Sequence, residues 1–382
     1  MNFEKLRNFL GYYLPMLGVP GSDTVIYKDH EEIFRHTCGF DSLTNRTPLK
    51  KDALYNIYSC TKIATCVAAM QLVERGEIMP SDPVQIYFPE FKNILVRKTY
   101  SDGSTALVHP EQPMLIKHLF NMTSGLDYDL NRPAVARLIA ESRGECSTLD
   151  IVKAFAKDPI AFEPGEHFCY GLSHDVLGGI VELVSGMKLG DYMKKNIFDP
   201  LGMKDTTFNI DNLNYGRIAS QYNYDNIGRC AVEIPRDANE FRLSRNYQSG
   251  GAGLLSSVDD YILLADALAN DGVGKSGKRI LSSAAVRLLS TPTLSPEVAR
   301  DYRSMGHHGF NYCYGVRRLV DKEAGDSLAP EGLFGWDGKR MCICLSDPKN
   351  RIAIFHAEHI DGFHSILLGR IVNVIYSCLD EN

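Results

Sequence analysis

Tryptophan is nearly missing from this 382-residue chain: Trp336 is the only one. No apolar run approaches the roughly 20 residues that a membrane-crossing helix needs. The first ten residues, Met1 to Leu10, read as a charged amphipathic helix. They lack the apolar centre and small-residue cleavage site of a secretory leader, so a cytoplasmic setting is expected. No basic cluster is long enough to track phosphates, and the net charge is −6. Nucleic acid is therefore not an expected partner. No internal repeat is visible. None of the ten cysteines pairs as Cys-x-x-Cys with zinc spacing. They are read as reduced and structural, as in a reducing compartment. Cys342 and Cys344 share one face of a predicted strand, where small buried thiols are common.

Two further patterns look functional but carry little. His307-His308 and the set His356, His359 and His364 raise the question of a metal. However, His356-x-x-His359 is not His-Glu-x-x-His and sits on a predicted strand and its exit. No metal and no cofactor are expected. Gly250-Gly251-Ala252-Gly253 lacks the strand–loop–helix spacing of a dinucleotide site and reads as a close approach of backbone segments.

What is present is ordinary globular composition, 44% hydrophobic and 23% charged, with length for a large core. Within it, Ser-x-x-Lys occurs three times. Ser185 to Lys188 falls at a Ser-Gly helix stop. Ser346 to Lys349 contains Pro348, which rules out a helix. Only Ser59-Cys60-Thr61-Lys62 lies where a strand-like run, Leu54 to Tyr58, turns into a helix predicted to be amphipathic from Ile63 to Arg75, ending at Gly76. Residues at i and i+3 share a helix face, so Lys62 can point its amine at the Ser59 hydroxyl. A serine becomes a useful nucleophile when a neighbour takes its proton. An amine does so only when partly neutral, which burial or nearby positive charge promotes. The competing reading of Ser59 is a plain helix cap.

The remaining elements predict a fold. Residues 2–15 read as a helix, followed by a hairpin of Thr24–Lys28 and Glu32–His36. Helical segments follow at Leu115–Asn121, Pro133–Ser142, Thr148–Ala156, His174–Ser185 and Asp191–Ile197. Lys98–Pro113 and the polar stretch Asn209–Tyr247 read as surface loops. Ser257-Val258-Asp259-Asp260 is a capping box opening a helix to about Asn270. Strands at Tyr312–Leu319, Gly332–Gly335, Met341–Ser346 and Ile352–His356 make an antiparallel meander, closed by a helix over Gly362–Leu379. The expected class is α+β: one antiparallel sheet from both chain ends, flanked by helices, with a mainly helical region inserted. The expected division is 1–76 with 245–382 for the sheet domain and 77–244 for the insert.

In this order the chain resembles the serine β-lactamase and penicillin-binding-protein superfamily, in the branch of class C-like enzymes and family VIII esterases. The resemblance runs from about Thr24 to Leu379. It rests on Ser59-x-x-Lys62, on Phe162-Glu163-Pro164-Gly165 leading to Tyr170-Gly171-Leu172, and on Trp336-Asp337-Gly338 in the place of the family's Lys-Thr-Gly. Thr123-Ser124-Gly125-Leu126, Pro200-Leu201-Gly202-Met203 and Gly250 to Leu254 agree with it. A serine with a lysine three residues on is a signature shared by the class A enzymes.

The resemblance implies roles. Ser59 is the nucleophile, Lys62 orients and deprotonates it, and Tyr170 acts as base in acylation and acid toward the leaving group. A phenol pKa near 10 is too high for that base, so Lys62 and helix dipoles are expected to lower it. The oxyanion hole comes from the backbone N–H groups of Ser59 and Lys339. Trp336, Asp337, Gly338 and Leu172 are the expected substrate-binding residues. Leu172 replaces the family's asparagine and Trp336 its lysine, exchanging an amide anchor and a cation for apolar surface. Lys339 or Arg340 is a candidate to restore positive charge. The implied function is a serine hydrolase with a covalent acyl-enzyme, first a carboxylesterase on small acyl esters. Alternatives are a D-amino-acid peptidase or amidase, a weak β-lactamase, an acyltransferase, or a catalytically silent ligand- or peptide-binding member. The expected partner is a small ester or amide. Nothing in the sequence indicates the oligomeric state.

Overall fold

The computed structural model describes residues 1–210 and 215–379. Its centre is an eight-stranded antiparallel sheet. In spatial order the strands are Phe310–Tyr312, Arg317–Leu319, Phe334–Gly338, Cys342–Asp347, Ile352–Ala357, Gly21–Lys28, Glu31–Ser42 and Thr47–Pro48. Both chain ends therefore build one sheet. Their junction is the pairing of Gly21–Lys28 with Ile352–Ala357. Thr24 faces His356 across it, and their side chains bond at 2.7 Å. The predicted strand over Tyr312–Leu319 is instead two short strands of a hairpin, Phe310–Tyr312 and Arg317–Leu319. Gly315, with φ of 85°, lies in the turn.

One face of the sheet is covered by the two terminal helical segments. Leu6, Leu10 and Leu14 pack there with Leu367, Ile371 and Ile375 on Ile26, Ile343 and Ile354. The other face meets the Val258–Ala269 helix, whose N-cap Ser257 accepts from the Asp260 amide. Beyond it lies Thr61–Glu74, which is not the amphipathic helix expected over Ile63–Arg75. Twelve of its fourteen residues are buried, and a helix apolar on all sides belongs in a core. Its polar members bond mostly within the protein rather than to water. Thr65 bonds Gly250 O at 2.7 Å, and Gln71 donates to Asn196 O and Ile280 O. One apolar cluster runs from Val25 and Phe355 through Ile63 and Val67 to Leu119, Phe120 and Val176. The sheet and the helices of the middle region thus share a core.

The stretch Asn209–Tyr247 is not a plain loop. Gln221–Asp225 and Cys230–Ile234 form a hairpin, and Gln221–Asp225 also pairs in parallel with Ile360–Asp361. Residues 211–214 of that predicted loop lie outside the described residues. The hairpin escapes sequence reading because its outer face is polar. Its stability comes from long-range partners such as Ser220–Glu233 and Arg236–Asp41. Lys98–Pro113 likewise holds two paired strands, Val96–Thr99 and Thr105–Val108. Among the described residues, no helix is long and apolar enough to cross a membrane.

Candidate active site

The strand Leu54–Asn56 pairs with Leu255–Ser257 and delivers the chain to Ser59 at the head of the buried helix. The turn is sharp because Tyr58 takes a left-handed φ of 43°. A side chain in that region costs roughly 1–2 kcal/mol. The Tyr58 phenol is fixed by donation to Gln221 Oε1 at 2.5 Å and by Arg340 Nε at 3.2 Å. Ser59 itself is 9% exposed.

Lys62 is fully buried, with Nζ 3.2 Å from Ser59 Oγ, 2.6 Å from the Tyr128 hydroxyl and 2.7 Å from Gly251 O. Burial lowers its pKa to about 8, against an opposing pull from Asp175. The three partners use all three ammonium protons. In the neutral amine, Gly251 O and Tyr128 O hold the two remaining N–H groups, which leaves the lone pair toward Ser59 Oγ. Asp175 stands behind this arrangement. Its Oδ1 accepts from Tyr247 at 2.5 Å, Ser249 at 2.6 Å and the Gly251 amide at 3.3 Å. The glycine run 250–253 is explained by that packing. A Cβ on Gly251 would lie 2.6 Å from Asp175 Oδ2 and 3.4 Å from Lys62 Nζ.

Tyr170 lies over the same amine, with its ring centroid 4.7 Å from Nζ. Its hydroxyl accepts from the Trp336 indole N–H at 2.8 Å. The expected lowering of its pKa is reversed: burial raises it above the ordinary phenol value, more than its hydrogen bonds to Ser59 and Trp336 lower it. Tyr170 is therefore a held proton at neutral pH, not a phenolate. Tyr128 is a member of the site that the sequence does not single out. It sits two residues after the Thr123–Leu126 signal, packs edge-on to Tyr170 at 5.4 Å and is itself covered by Phe241 at 5.2 Å. Burial holds its phenol protonated as well. The nearby Thr-Ser-Gly-Leu stretch is the only local sign of it.

The third motif lies on a strand of the main sheet, Phe334–Gly338. Trp336 packs on Tyr312 at 5.0 Å and Tyr170 at 5.3 Å. Gly338 comes so close to the Ser59 turn that a Cβ there would lie 2.2 Å from Ile57 O and 3.3 Å from Ser59 N. Two expected substrate contacts are otherwise engaged. Asp337, next to Trp336 in the strand, is taken up by an ion pair with the buried Arg317. Leu172 is 1% exposed and belongs to the apolar core. The candidate cations are also engaged. Lys339 Nζ lies 2.5 Å from Glu240 and 3.7 Å from Asp361. Arg340 is buried against Tyr58, Asn223 and Tyr222 O.

Cys60, next to Ser59, is fully buried with Sγ 3.2 Å from Cys342 O, and burial pushes its thiol pKa far up. A buried protonated thiol is a poor nucleophile. His356 bonds Thr24 and, at 3.0 Å, Glu358; His359 bonds Ser220 O. The side chain of His364 lies outside the described residues.

A buried helix opened by Ser-x-x-Lys beside an antiparallel sheet defines the serine β-lactamase and transpeptidase class of enzymes. The β-lactamase family profile matches residues 7–360, and the chain belongs to that family. Among its relatives is Esterase EstB of Burkholderia gladioli, 28% identical over 347 residues, covering 83% of this chain and 80% of that protein. Another is Acyltransferase calJ of Penicillium decumbens, 28% identical over 368 residues, covering 90% and 84%. The fold matches that of EstCE1, described as a hydrolase with promiscuous acyltransferase activity. The TM-score is 0.79 at 22% identity, covering 99% of this chain and 98% of that one.

Proposed function

We propose that the protein is a serine carboxylesterase acting through an acyl-enzyme on Ser59. The observation that carries this reading is the Lys62 amine, sealed from water and 3.2 Å from the Ser59 hydroxyl, with a pKa near the working range of a general base. Lys62 takes the Ser59 proton as Oγ attacks the carbonyl. Tyr170 gives its proton to the leaving alkoxide, and the Trp336 N–H stabilises the phenolate that results. Water then reverses the sequence to release the acid. This keeps the expected role of Tyr170 as acid toward the leaving group and gives its part as acylation base to Lys62. The Ser59 and Lys339 amides form the oxyanion hole. The support is the approach of Gly338 to the Ile57–Ser59 segment.

The substrate is a small neutral ester. The lysine typical of carboxylate recognition is absent, and Lys339 and Arg340 are bound to protein groups. Aromatic surface from Trp336, Tyr128 and Phe241 takes its place. A second reading, transfer of the acyl group to an alcohol, draws support from the acyltransferase relative.

The test uses wild type and Ser59→Ala with a fluorophosphonate probe, a fluorescent penicillin and a panel of p-nitrophenyl esters. Phosphonate labelling and ester turnover that vanish in Ser59→Ala are expected. Folded protein labelled by neither probe would sink the enzyme reading. Rapid cephalosporin turnover would replace the esterase by a β-lactamase, and alcohol products in mixed solvent would favour transfer.

A further inference from the structure

A cavity of about 550 Å³ lies between the edge of the main sheet and the closing helix. Its walls are Leu333, Phe334 and Leu345 on the sheet side and Leu368 and Val372 on the helix. The outer wall, residues 324–327, is built rather than draped. Asn373 of the helix accepts from the Leu328 amide and donates to Asp326 O, both at 2.8 Å. Its lining includes Arg317, Arg370 and Asp326, with His307 and His308 beside them.

Arg317 is 3% exposed, and its guanidinium centre lies 5.1 Å from the Trp336 ring and 5.6 Å from the Phe310 ring. It is ion-paired with Asp337. A guanidinium carries five N–H donors, and one carboxylate takes at most two of them in a bidentate pair. Donor capacity therefore remains for a second anion at the cavity. An apolar slot with a desolvated cation at one end is complementary to a molecule with an aliphatic chain and an anionic head.

We propose that this cavity binds an aliphatic monocarboxylate, with its chain against Leu333, Leu345, Leu368 and Val372 and its carboxylate at Arg317. The site is separate from Ser59 and does not depend on the esterase reading. A carboxylate at Arg317 shares the guanidinium with Asp337, the residue next to Trp336. Occupancy is therefore felt at the only tryptophan of the chain.

The full-length protein is titrated with sodium octanoate at constant ionic strength, following Trp336 fluorescence and calorimetric heat. A saturable one-to-one isotherm is expected. Leu368→Glu, which places a carboxylate inside the slot, and Arg370→Glu, at its exposed rim, each weaken binding by about fivefold or more, with circular dichroism unchanged. 1-Octanol, lacking the charge, binds at least about tenfold more weakly. A diazirine-bearing fatty acid cross-links to peptides spanning 305–334 or 366–373. The proposal is overturned by the absence of saturable binding or by equal affinity for octanol. It is equally overturned by unchanged affinity in both variants, or by cross-links confined to peptides holding Tyr128, Tyr170 or Phe241.

Discussion

Asp175→Asn removes a carboxylate from behind Lys62 while keeping an oxygen for the Tyr247 and Ser249 hydroxyls. Asp175 Oδ2 and Lys62 Nζ both lie close to the Cβ position of Gly251, at 2.6 and 3.4 Å, which puts them within roughly 6 Å of each other. With an effective dielectric near 20, a unit-charge pair at that separation interacts by about 2.8 kcal/mol, which corresponds to about two pH units. The carboxylate favours the ammonium, so its loss must lower the lysine pKa. The wild-type acid limb of kcat/KM is expected near 8, where Lys62 sheds its proton. In Asp175→Asn that limb moves down by about one to two pH units, and activity at pH 6 rises relative to the plateau. The assay is p-nitrophenyl butyrate hydrolysis from pH 5 to 10, corrected for spontaneous hydrolysis, with a thermal melt as folding control. A limb that stays in place or moves upward in a folded variant refutes Lys62 as the titrating base.

Tyr128→Phe removes the acceptor 2.6 Å from Lys62 but keeps the ring packing. Turnover should fall by about tenfold, the worth of one hydrogen bond near 1–1.5 kcal/mol, with little change in Tm. Unchanged kcat would mean that Gly251 alone aims the amine. Trp336→Phe deletes the donor to Tyr170. Esters with poor leaving groups should suffer more than p-nitrophenyl esters, and equal losses would count against Tyr170 as the acid. Gly338→Ala forces a Cβ to 2.2 Å from Ile57 O, so both Tm and ester turnover should drop; a normal enzyme would show that the Ser59 turn can yield. Lys62→Met tests linkage. The folded pKa of Lys62 lies below its ordinary 10.5, so the unfolded chain binds more protons between about pH 8 and 10.5. Wild-type stability relative to Lys62→Met should therefore rise across that window, and a flat difference would mean that Lys62 is not depressed.

The antiparallel sheet was legible from both ends because alternation and turn residues are local signals. Val25, Ile26, Ile352 and Ile354 point their side chains by strand geometry alone. The Gln221–Ile234 hairpin was not, since its polar face mimics a loop and its pairing with Ile360–Asp361 spans more than a hundred residues. The buried character of Thr61–Glu74 was also hidden. Thr65, Gln71 and Lys62 look like surface residues until Gly250, Ile280 and Gly251 supply their partners.

Sequence by itself determined the Ser59–Lys62 pair, because residues three apart on a helix meet whatever surrounds them. The resemblance of its motifs to the family's also marked Tyr170, Trp336 and Gly338. Tertiary structure alone decided what those groups are at neutral pH. Desolvation depends on everything packed around a charge. That packing lowers the Lys62 pKa, raises that of Tyr170, brings in Tyr128 and ties Asp337 to Arg317.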